Sequence, residues 1–340
     1  MNRTTVRLIT ALAALSLVGA ACGGNTGGET ITRIAISGSS TVEPISARVA
    51  QAFTDLPENS NVAIAVDGPG TSDGFVLFCN GETDISDASR AIRQAELDEC
   101  RANGVEPIEI KVAIDGLSVI TSVNNTAVSC LDFGDLYALL GSESVGFDNW
   151  SDADGLGGEL MAAGLGGSNA PYPDAPLVVT APGEESGTFD SFIEIVLEHT
   201  ADERATEAEP RLDYQASAND DVIIDGISRN DTSLGWVGYA FYINNTGAVK
   251  ALGIDGGTGC VAPTPETIAS GEYPIARPLF IYVNAARLDE KRRLVDFVDF
   301  YVGEAGNAAV DGAGYVRLSD AERASWTANW DARNVGKVDG

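Results

Sequence analysis

Histidine and lysine are scarce in this sequence of 340 residues. It contains one histidine, His199, and four lysines, and its 21 Lys and Arg residues stand against 50 Asp and Glu residues, for a formal net charge of -29. A protein that binds nucleic acid needs many cations at the phosphates, so this balance excludes that class of partner. The single histidine and the lack of a C-x-x-C motif also speak against a metal site.

Long apolar runs are missing too, except at the N-terminus. Two arginines precede an apolar stretch at residues 8–21, which ends in LVGAAC and is followed by a glycine-rich stretch. Its length fits a secretory signal peptide and is short for a transmembrane helix. The small residues before Cys22 resemble a bacterial lipoprotein signal, although Gly19 stands where such signals most often have leucine.

We therefore predict a signal peptide at residues 1–21, a lipidated Cys22, and a flexible linker over the remainder of residues 22–30. The alternative is an ordinary secretory signal that is cleaved nearby. In the first case the protein is exported and held at the outer face of the bacterial cytoplasmic membrane by its lipid. In the second case it is exported and periplasmic.

Cysteine is scarce as well, and export makes the few cysteines informative. With Cys22 set aside, four remain: Cys79, Cys100, Cys130 and Cys260. An even number of cysteines in an oxidising compartment predicts disulfides, and four cysteines allow three pairings. We favour Cys79–Cys100, because both flank one short predicted strand-and-helix unit, which leaves Cys130–Cys260.

The rest of the chain alternates strand-like and helix-like segments. ITRIAIS (31–37), IEIKVAI (108–114), LSVITSV (117–123) and PLFIYV (278–283) have the patterns of strands, whereas EKRRLVDFVDFYV has apolar residues at helical spacing. Residues 141–176 are rich in Gly, Asn, Pro and Asp without a clear period, which predicts a long loop. The alternation predicts an α/β fold with parallel strands.

Three loops share one pattern. GSSTVEP (38–44, the first loop), GPGTSDG (68–74, the second loop) and GEESGTFDSF (183–192, the third loop) each follow a predicted strand and open a helix with Gly and Ser or Thr. The first amides of a helix lack partners within the helix, and the helix dipole makes that end positive. Ser and Thr are also ordinary helix caps. One such loop would mean little, but three of them predict an anion site.

Together with GETDISDASRAI and RPLFIYVN, these loops resemble the phosphate-binding subunits of bacterial high-affinity phosphate ABC importers, the PstS-type binding proteins. The resemblance runs from about Ile31 to at least Tyr315. It implies a two-lobed fold of the type II periplasmic-binding-protein kind, in which two crossing segments, near Asp115–Gly116 and Arg277–Pro278, form the hinge. Lobe 1 would comprise residues 31–114 and 279–340, and lobe 2 residues 115–278.

The resemblance also implies a function. The protein would capture inorganic phosphate between the lobes and present it to the permease subunits of an ABC importer, without enzymatic activity or a cofactor. We expect it to be a monomer.

The resemblance further implies a set of phosphate-binding residues: Ser40, Thr41, the amide of Val42, Thr71, Ser72, Ser89, Arg90, Ser186, Gly187 and Thr188. Many family members have an aspartate where this chain has Ser89, and an arginine where it has Pro182. We infer that Arg90 supplies the missing positive charge, since a guanidinium fork suits a tetrahedral oxyanion. The alternative for Arg90 is a surface salt bridge with Asp84 or Asp87.

The aspartate that Ser89 replaces is important for discrimination between phosphate and sulfate. In the family it accepts a proton from phosphate and so rejects sulfate. Asp73, Asp87 and Glu185 are the candidates to replace it in this chain. Until one of them is shown to do so, another oxyanion such as sulfate, molybdate or a phosphonate stays an alternative ligand.

A hydrolase is the rival function. GTSDG (70–74) fits the G-x-S-x-G pattern of a nucleophile elbow, with Ser72 as the nucleophile and His199 as the base. However, His199 ends a predicted helix, where an imidazole commonly interacts with the last carbonyls. An oxyanion motif such as HGGG does not precede Ser72. An exported serine hydrolase is therefore the less favoured alternative.

Overall fold

The computed structural model describes residues 31–184 and 186–338. The predicted signal peptide, Cys22, the linker and Glu185 lie outside the described residues. Within those two ranges, none of the helices combines the length and the apolarity that spanning a bilayer requires.

Strands and helices alternate along the described chain. The strands are β1 (Thr32–Gly38), β2 (Val62–Asp67), β3 (Ile85–Ala88), β4 (Pro107–Ser122), β5 (Cys130–Asp132), β6 (Thr180–Ala181), β7 (Gln215–Ala216), β8 (Leu234–Gly238), β9 (Val249–Ala251), β10 (Gly253–Asp255), β11 (Cys260–Val261) and β12 (Ala276–Asn284). The helices are α1 (Glu43–Thr54), α2 (Thr71–Cys79), α3 (Gln94–Ala102), α4 (Phe133–Leu140), α5 (Asp154–Ala163), α6 (Gly187–Phe192), α7 (Glu198–Arg204), α8 (Asp220–Ser228), α9 (Tyr239–Ile243), α10 (Pro265–Ala269), α11 (Arg292–Tyr301), α12 (Glu304–Ala313) and α13 (Asp320–Asp331). A π-helical turn, Ile193–Leu197, connects α6 to α7.

The largest sheet is mixed rather than parallel. Its strand order is β2-β1-β3-β12-β4-β8, and β9 also pairs with β4. β1 is parallel to β2 and β3, as the alternation predicts. β12 is antiparallel to both β3 and β4, and β4 is antiparallel to β8 and β9. The prediction of parallel strands is therefore wrong for this half of the sheet, because β12 enters it from the opposite direction.

β4 is one continuous strand, although the sequence predicts two. Its first half pairs with β12 and its second half pairs with β8 and β9. Where the halves meet, Gly116 lies opposite Ala276 and Asp115 lies opposite Arg277. The two segments that the sequence identifies as hinge crossings are thus register partners in adjacent strands.

Apolar side chains form separate clusters around the two halves of β4. One cluster draws on residues 34–113 and 279–330, and includes Phe53 and Phe297. Another draws mainly on residues 114–275, with Trp150 and Trp236 fully buried in it. Both clusters belong to one unit of the chain, which begins at Ile31.

The disulfides and one helix complete the comparison with the sequence. Cys79–Cys100 joins α2 to α3, and Cys130–Cys260 joins β5 to β11, which confirms the favoured pairing.

The prediction of a long loop at residues 141–176 is partly wrong, because this segment contains α5. This helix buries Leu160 and ends at Gly164, whose φ of 76° is a left-handed conformation that glycine adopts readily. Its several glycines hide the helical period in the sequence.

Candidate functional site

The first and third loops meet directly, although their contacting residues are 150 positions apart in sequence. Ser40 Oγ donates a hydrogen bond to Asp190 Oδ2 at 2.6 Å, and Thr41 Oγ1 lies 3.2 Å from Ser191 Oγ. A Cβ atom on Gly187 would lie only 3.4 Å from Thr41 Cα. The start of α6 therefore lies in van der Waals range of the first loop.

The second loop lies beside the first. The first turn of α2 packs on the end of β1 so tightly that a Cβ atom on Gly74 would lie 2.4 Å from Gly38 Cα. This packing brings α2 to the end of β3, where Thr71 Oγ1 lies 3.0 Å from Ser89 Oγ and accepts a hydrogen bond from the Ser89 amide at 3.1 Å. The first loop therefore lies between the other two, in contact with the third through Ser40 and Thr41 and with the second through Gly38.

Arg277 lies in the region where these loops meet. Its Nη2 donates to Ser191 Oγ at 2.8 Å and to Thr41 Oγ1 at 3.1 Å, and its Nη1 pairs with Glu194. Its Nε lies 3.6 Å from Asp115 Oδ2, and only 12% of its side chain is exposed. Arg277 is thus the cation that contacts both the first and the third loop. Sequence reasoning placed it at the hinge but gave it no role.

Asp115 holds Arg277 in place. The aspartate is 2% exposed, and burial raises its pKa while the Arg277 guanidinium lowers it. The pair comes from opposite positions of β4 and β12. The sequence does contain a signal for Arg277, because it is a charged residue at the start of the otherwise apolar strand motif RPLFIYVN. The sequence does not show that this strand starts next to the first loop.

Arg90 borders the same region, but its guanidinium is paired with Glu96. Its Nη1 and Nη2 form a bidentate pair with the Glu96 carboxylate at 2.9 and 2.7 Å, and Nη2 also donates to Ser72 Oγ at 3.1 Å. The salt-bridge alternative is therefore correct in kind but wrong in its partners. Asp84 pairs instead with Lys291, at 2.8 Å.

Asp87 does not reach the region. It is fully buried, and its Oδ1 accepts from Ser46 Oγ at 2.9 Å. Burial raises the pKa of Asp87 to about 7, although the hydrogen bond from Ser46 lowers it. Asp87 therefore lies outside the lining of the cavity described below and faces Ser46 of α1. Of the other candidates, Asp73 lines the cavity described below, and Glu185 lies outside the described residues.

Backbone amides are less available than the sequence predicts. In the first loop, the Thr41 amide donates to Ser39 Oγ at 3.2 Å and the Val42 amide donates to the Ser39 carbonyl at 3.1 Å. In the third loop, the Thr188 amide donates to Ser186 Oγ at 3.2 Å. These bonds occupy the Val42 amide and use the Ser186 hydroxyl as a cap. Hydroxyl groups and Arg277 are the main donors that converge.

A cavity of about 450 Å³ opens beside Arg277. α2 begins at its wall without a side-chain cap, because the residue before Thr71 is Gly70. The polar lining consists of Thr71, Ser72, Asp73, Ser89, Arg90, Arg93, Glu194, Glu198 and Arg277. Hydroxyls, guanidinium groups and the positive end of a helix can bind an oxyanion, while the carboxylates can only accept hydrogen bonds from neutral or protonated groups.

His199 lines a different cavity from Ser72. That cavity, of about 560 Å³, also contains Phe133, Asp132 and Asp255. The hydroxyl of Ser72 accepts a hydrogen bond from Arg90 Nη2, whereas the hydrolase interpretation requires it to donate one to the imidazole of His199. The pairing that the hydrolase interpretation requires does not form. In the part of the chain that the structure describes, His, Cys, Asp and Glu side chains do not form a group of three that could hold a metal ion.

Comparison with known proteins identifies the family of this chain. A family model described as a PBP superfamily domain matches residues 23–305. Protein SphX of Synechocystis sp. is 35% identical over 327 residues, which cover 96% of this chain and 86% of that protein. The phosphate-binding protein PstS of Staphylococcus epidermidis is 31% identical over 313 residues, covering 90% and 86% of the two chains.

A solved structure is similar as well. The crystal structure of a possible phosphate binding protein from Planctomyces limnophilus is 32% identical, with a TM-score of 0.78, and the match covers 89% of this chain and 99% of that one. Family model, relatives and fold agree with the resemblance found in the sequence motifs. The chain therefore belongs to the PBP superfamily, in the family of the PstS-type phosphate-binding proteins.

Proposed function

We propose that this protein is an extracytoplasmic solute-binding protein that captures inorganic phosphate between two lobes and delivers it to an ABC importer. The lobes are residues 31–114 with 279–340, and residues 115–278. The separate apolar clusters support this division. In the proposal the protein acts as a monomer, without a cofactor, and lipidated Cys22 holds it at the outer face of the membrane.

The convergence of Thr41, Ser191 and Arg277 carries this proposal. A guanidinium offers a planar fork of N–H donors that matches the oxygens of a tetrahedral anion. The hydroxyls come from different lobes, so an anion that binds both would hold the lobes together. Several relatives are named as phosphate-binding proteins, and phosphate is an anion that can accept hydrogen bonds from these donors.

In the proposed site, Arg277 takes the place of the arginine that the family has where this chain has Pro182. The hydroxyls of the proposed site come from Ser40, Thr41, Thr71, Ser72, Ser89, Ser186 and Thr188. Gly187 lies beside Thr41 at the start of α6, and Arg90 borders the site. The Val42 amide contributes only if the first loop rearranges, because it already donates to Ser39.

Calorimetry with phosphate, sulfate, molybdate and a phosphonate tests the ligand, and a pair of matched variants tests the site. We expect one phosphate per chain. Arg277→Lys keeps the charge but loses the fork, so phosphate should bind about tenfold or more weakly, the loss of one charge-assisted hydrogen bond. Arg90→Lys should have a smaller effect, because Glu96 already holds that guanidinium.

Two results would contradict the proposal. If the protein binds none of these oxyanions, capture of phosphate is wrong. If Arg90→Lys weakens binding more than Arg277→Lys does, Arg90 supplies the countercharge after all, and the assignment to Arg277 is wrong.

A further inference from the structure

Glu194 places a carboxylate at the proposed binding site. It pairs with Arg277 Nη1, and its Oε2 accepts a hydrogen bond from Ser89 Oγ at 3.4 Å. The side chain lines the cavity beside Thr71, and 43% of it is exposed. The carboxylate therefore lies at the junction of the two lobes, next to Ser89, and is accessible to a ligand.

The π-helical turn gives Glu194 this direction. Residues Ile193–Leu197 form hydrogen bonds between positions i and i+5 instead of i and i+4, and such turns often occur at functional sites. Phe192, Val196 and Leu197 are buried in the apolar cluster, and the Phe192 ring stacks on Trp236 with centroids 3.9 Å apart. These contacts anchor the segment on one side, while Glu194 faces the cavity on the other.

The chemistry of a carboxylate next to a bound oxyanion distinguishes protonated from unprotonated ligands. An ionised carboxylate only accepts hydrogen bonds. Hydrogen phosphate carries a proton at neutral pH, so it can donate an O–H to the carboxylate while its other oxygens accept from the arginine. Sulfate carries none, so the same position brings two unprotonated anions together, and they repel each other.

We propose that Glu194 is the specificity-determining residue that selects a protonated oxyanion over sulfate. This inference rests on the proposed function. Ser89 cannot be the proton acceptor in the way that a carboxylate is, and Glu194 supplies that carboxylate from the opposite lobe. Asp73 and Glu198 line the same cavity, whereas only Glu194 among these three contacts both Ser89 and Arg277 in the described structure.

Glu194→Gln tests the inference, with Glu203→Gln, at an exposed position of α7 outside the cavity lining, as the matched control for loss of one negative charge. Affinities for phosphate, arsenate and sulfate are measured by calorimetry at pH 7.5 and constant ionic strength. In Glu194→Gln, the preference for phosphate over sulfate should fall by about tenfold or more. The preference for arsenate over sulfate should fall in parallel, because arsenate carries the same proton. In Glu203→Gln both ratios should stay near those of the wild type.

The ratio of phosphate to sulfate affinity distinguishes proton recognition by Glu194 from simple neutralisation of the Arg277 charge. If Glu194 only neutralises the guanidinium, its removal strengthens all three anions together and leaves the ratios unchanged, and the inference is wrong. Equal ratio changes in the two variants would also overturn it. Failure of the wild-type protein to bind phosphate would instead contradict the proposed function. Thermal unfolding of each variant confirms that the fold is retained.

Discussion

At the scale of single residues, carboxylates outnumber the cation at the centre of the site. Arg277 contacts both Asp115 and Glu194, and it is the only guanidinium that reaches Thr41 and Ser191 in the described structure. A ligand that brings only negative charge to this point meets repulsion as well as attraction. A ligand that also carries a proton can satisfy both kinds of group.

Asp87 gives a prediction on pH and stability. Its pKa is about 7 in the folded protein, against an ordinary value of 3.8, because burial disfavours the charged form. Between about pH 4 and 7 the folded state therefore keeps a proton that the unfolded state has lost. The contribution of Asp87 to stability is full below about pH 4 and is lost as the pH rises through 7.

Asp87→Asn removes this titration and can keep the acceptor for Ser46. Relative to the variant, the wild-type protein should lose about 2 kcal/mol of unfolding free energy between pH 5 and pH 8. Urea unfolding of both proteins at the two pH values measures this difference. Parallel changes in the two proteins would show that Asp87 does not bind the proton in the folded state.

At the scale of elements, the close packing of α2 on β1 positions the second loop. A Cβ atom on Gly74 would lie 2.4 Å from Gly38 Cα and 3.0 Å from the Ser37 carbonyl oxygen. These are backbone atoms in a strand, so they cannot move aside as a flexible side chain could. The packing in turn sets the contact between Thr71 and Ser89.

Gly74→Ala should therefore destabilise the protein by about 1–3 kcal/mol, as overpacking does, and weaken phosphate binding. Gly158→Ala is the matched control, because it adds the same methyl group to a glycine in α5 with no neighbouring heavy atom within 4 Å. The control should be neutral or more stable by up to about 1 kcal/mol, since alanine favours helix. Chemical denaturation and calorimetry measure the two effects. A Gly74→Ala protein as stable as the control would show that α2 can shift freely.

At the scale of the whole molecule, the acidic surface opposes the binding of an anion. The net charge of -29 acts over long distances, which salt screens beyond about 10 Å at 0.1 M ionic strength. The donors of the site act within a few ångströms, where the effective dielectric is lower. Overall charge should therefore affect how fast phosphate arrives more than how firmly it is held.

The rate constant for phosphate association should rise when salt increases from about 10 to about 150 mM, because the Debye length falls from about 30 to about 8 Å. The dissociation rate constant should change less. Stopped-flow tryptophan fluorescence measures both, and potassium gluconate in place of NaCl controls for chloride binding. An association rate that falls with added salt would instead indicate a locally positive entrance to the cleft.

Much of the element order could be predicted from the sequence, because apolar periodicity and helix-start residues are local signals. The strand at 31–37 and the helix α11 are examples. The disulfide pairing could also be predicted, from the number and positions of the cysteines. The prediction failed where the pattern depended on distant partners. β4 was divided because Asp115 and Gly116 interrupt an apolar run, and only the pairing with β12 keeps these residues in one strand.

The same limit applies to the site. The sequence by itself determined the family, the three loops with their hydroxyl groups, and the acidic composition, since each of these is a property of residue type and order. Only the tertiary structure decided which charges meet. Arg277 and Glu194 are 83 positions apart in sequence, and they come together because antiparallel pairing sets the start of β12 beside Asp115 while a π-helical turn directs Glu194 into the same cavity. Arg90, which is much nearer to the loops in sequence, is held by Glu96 instead.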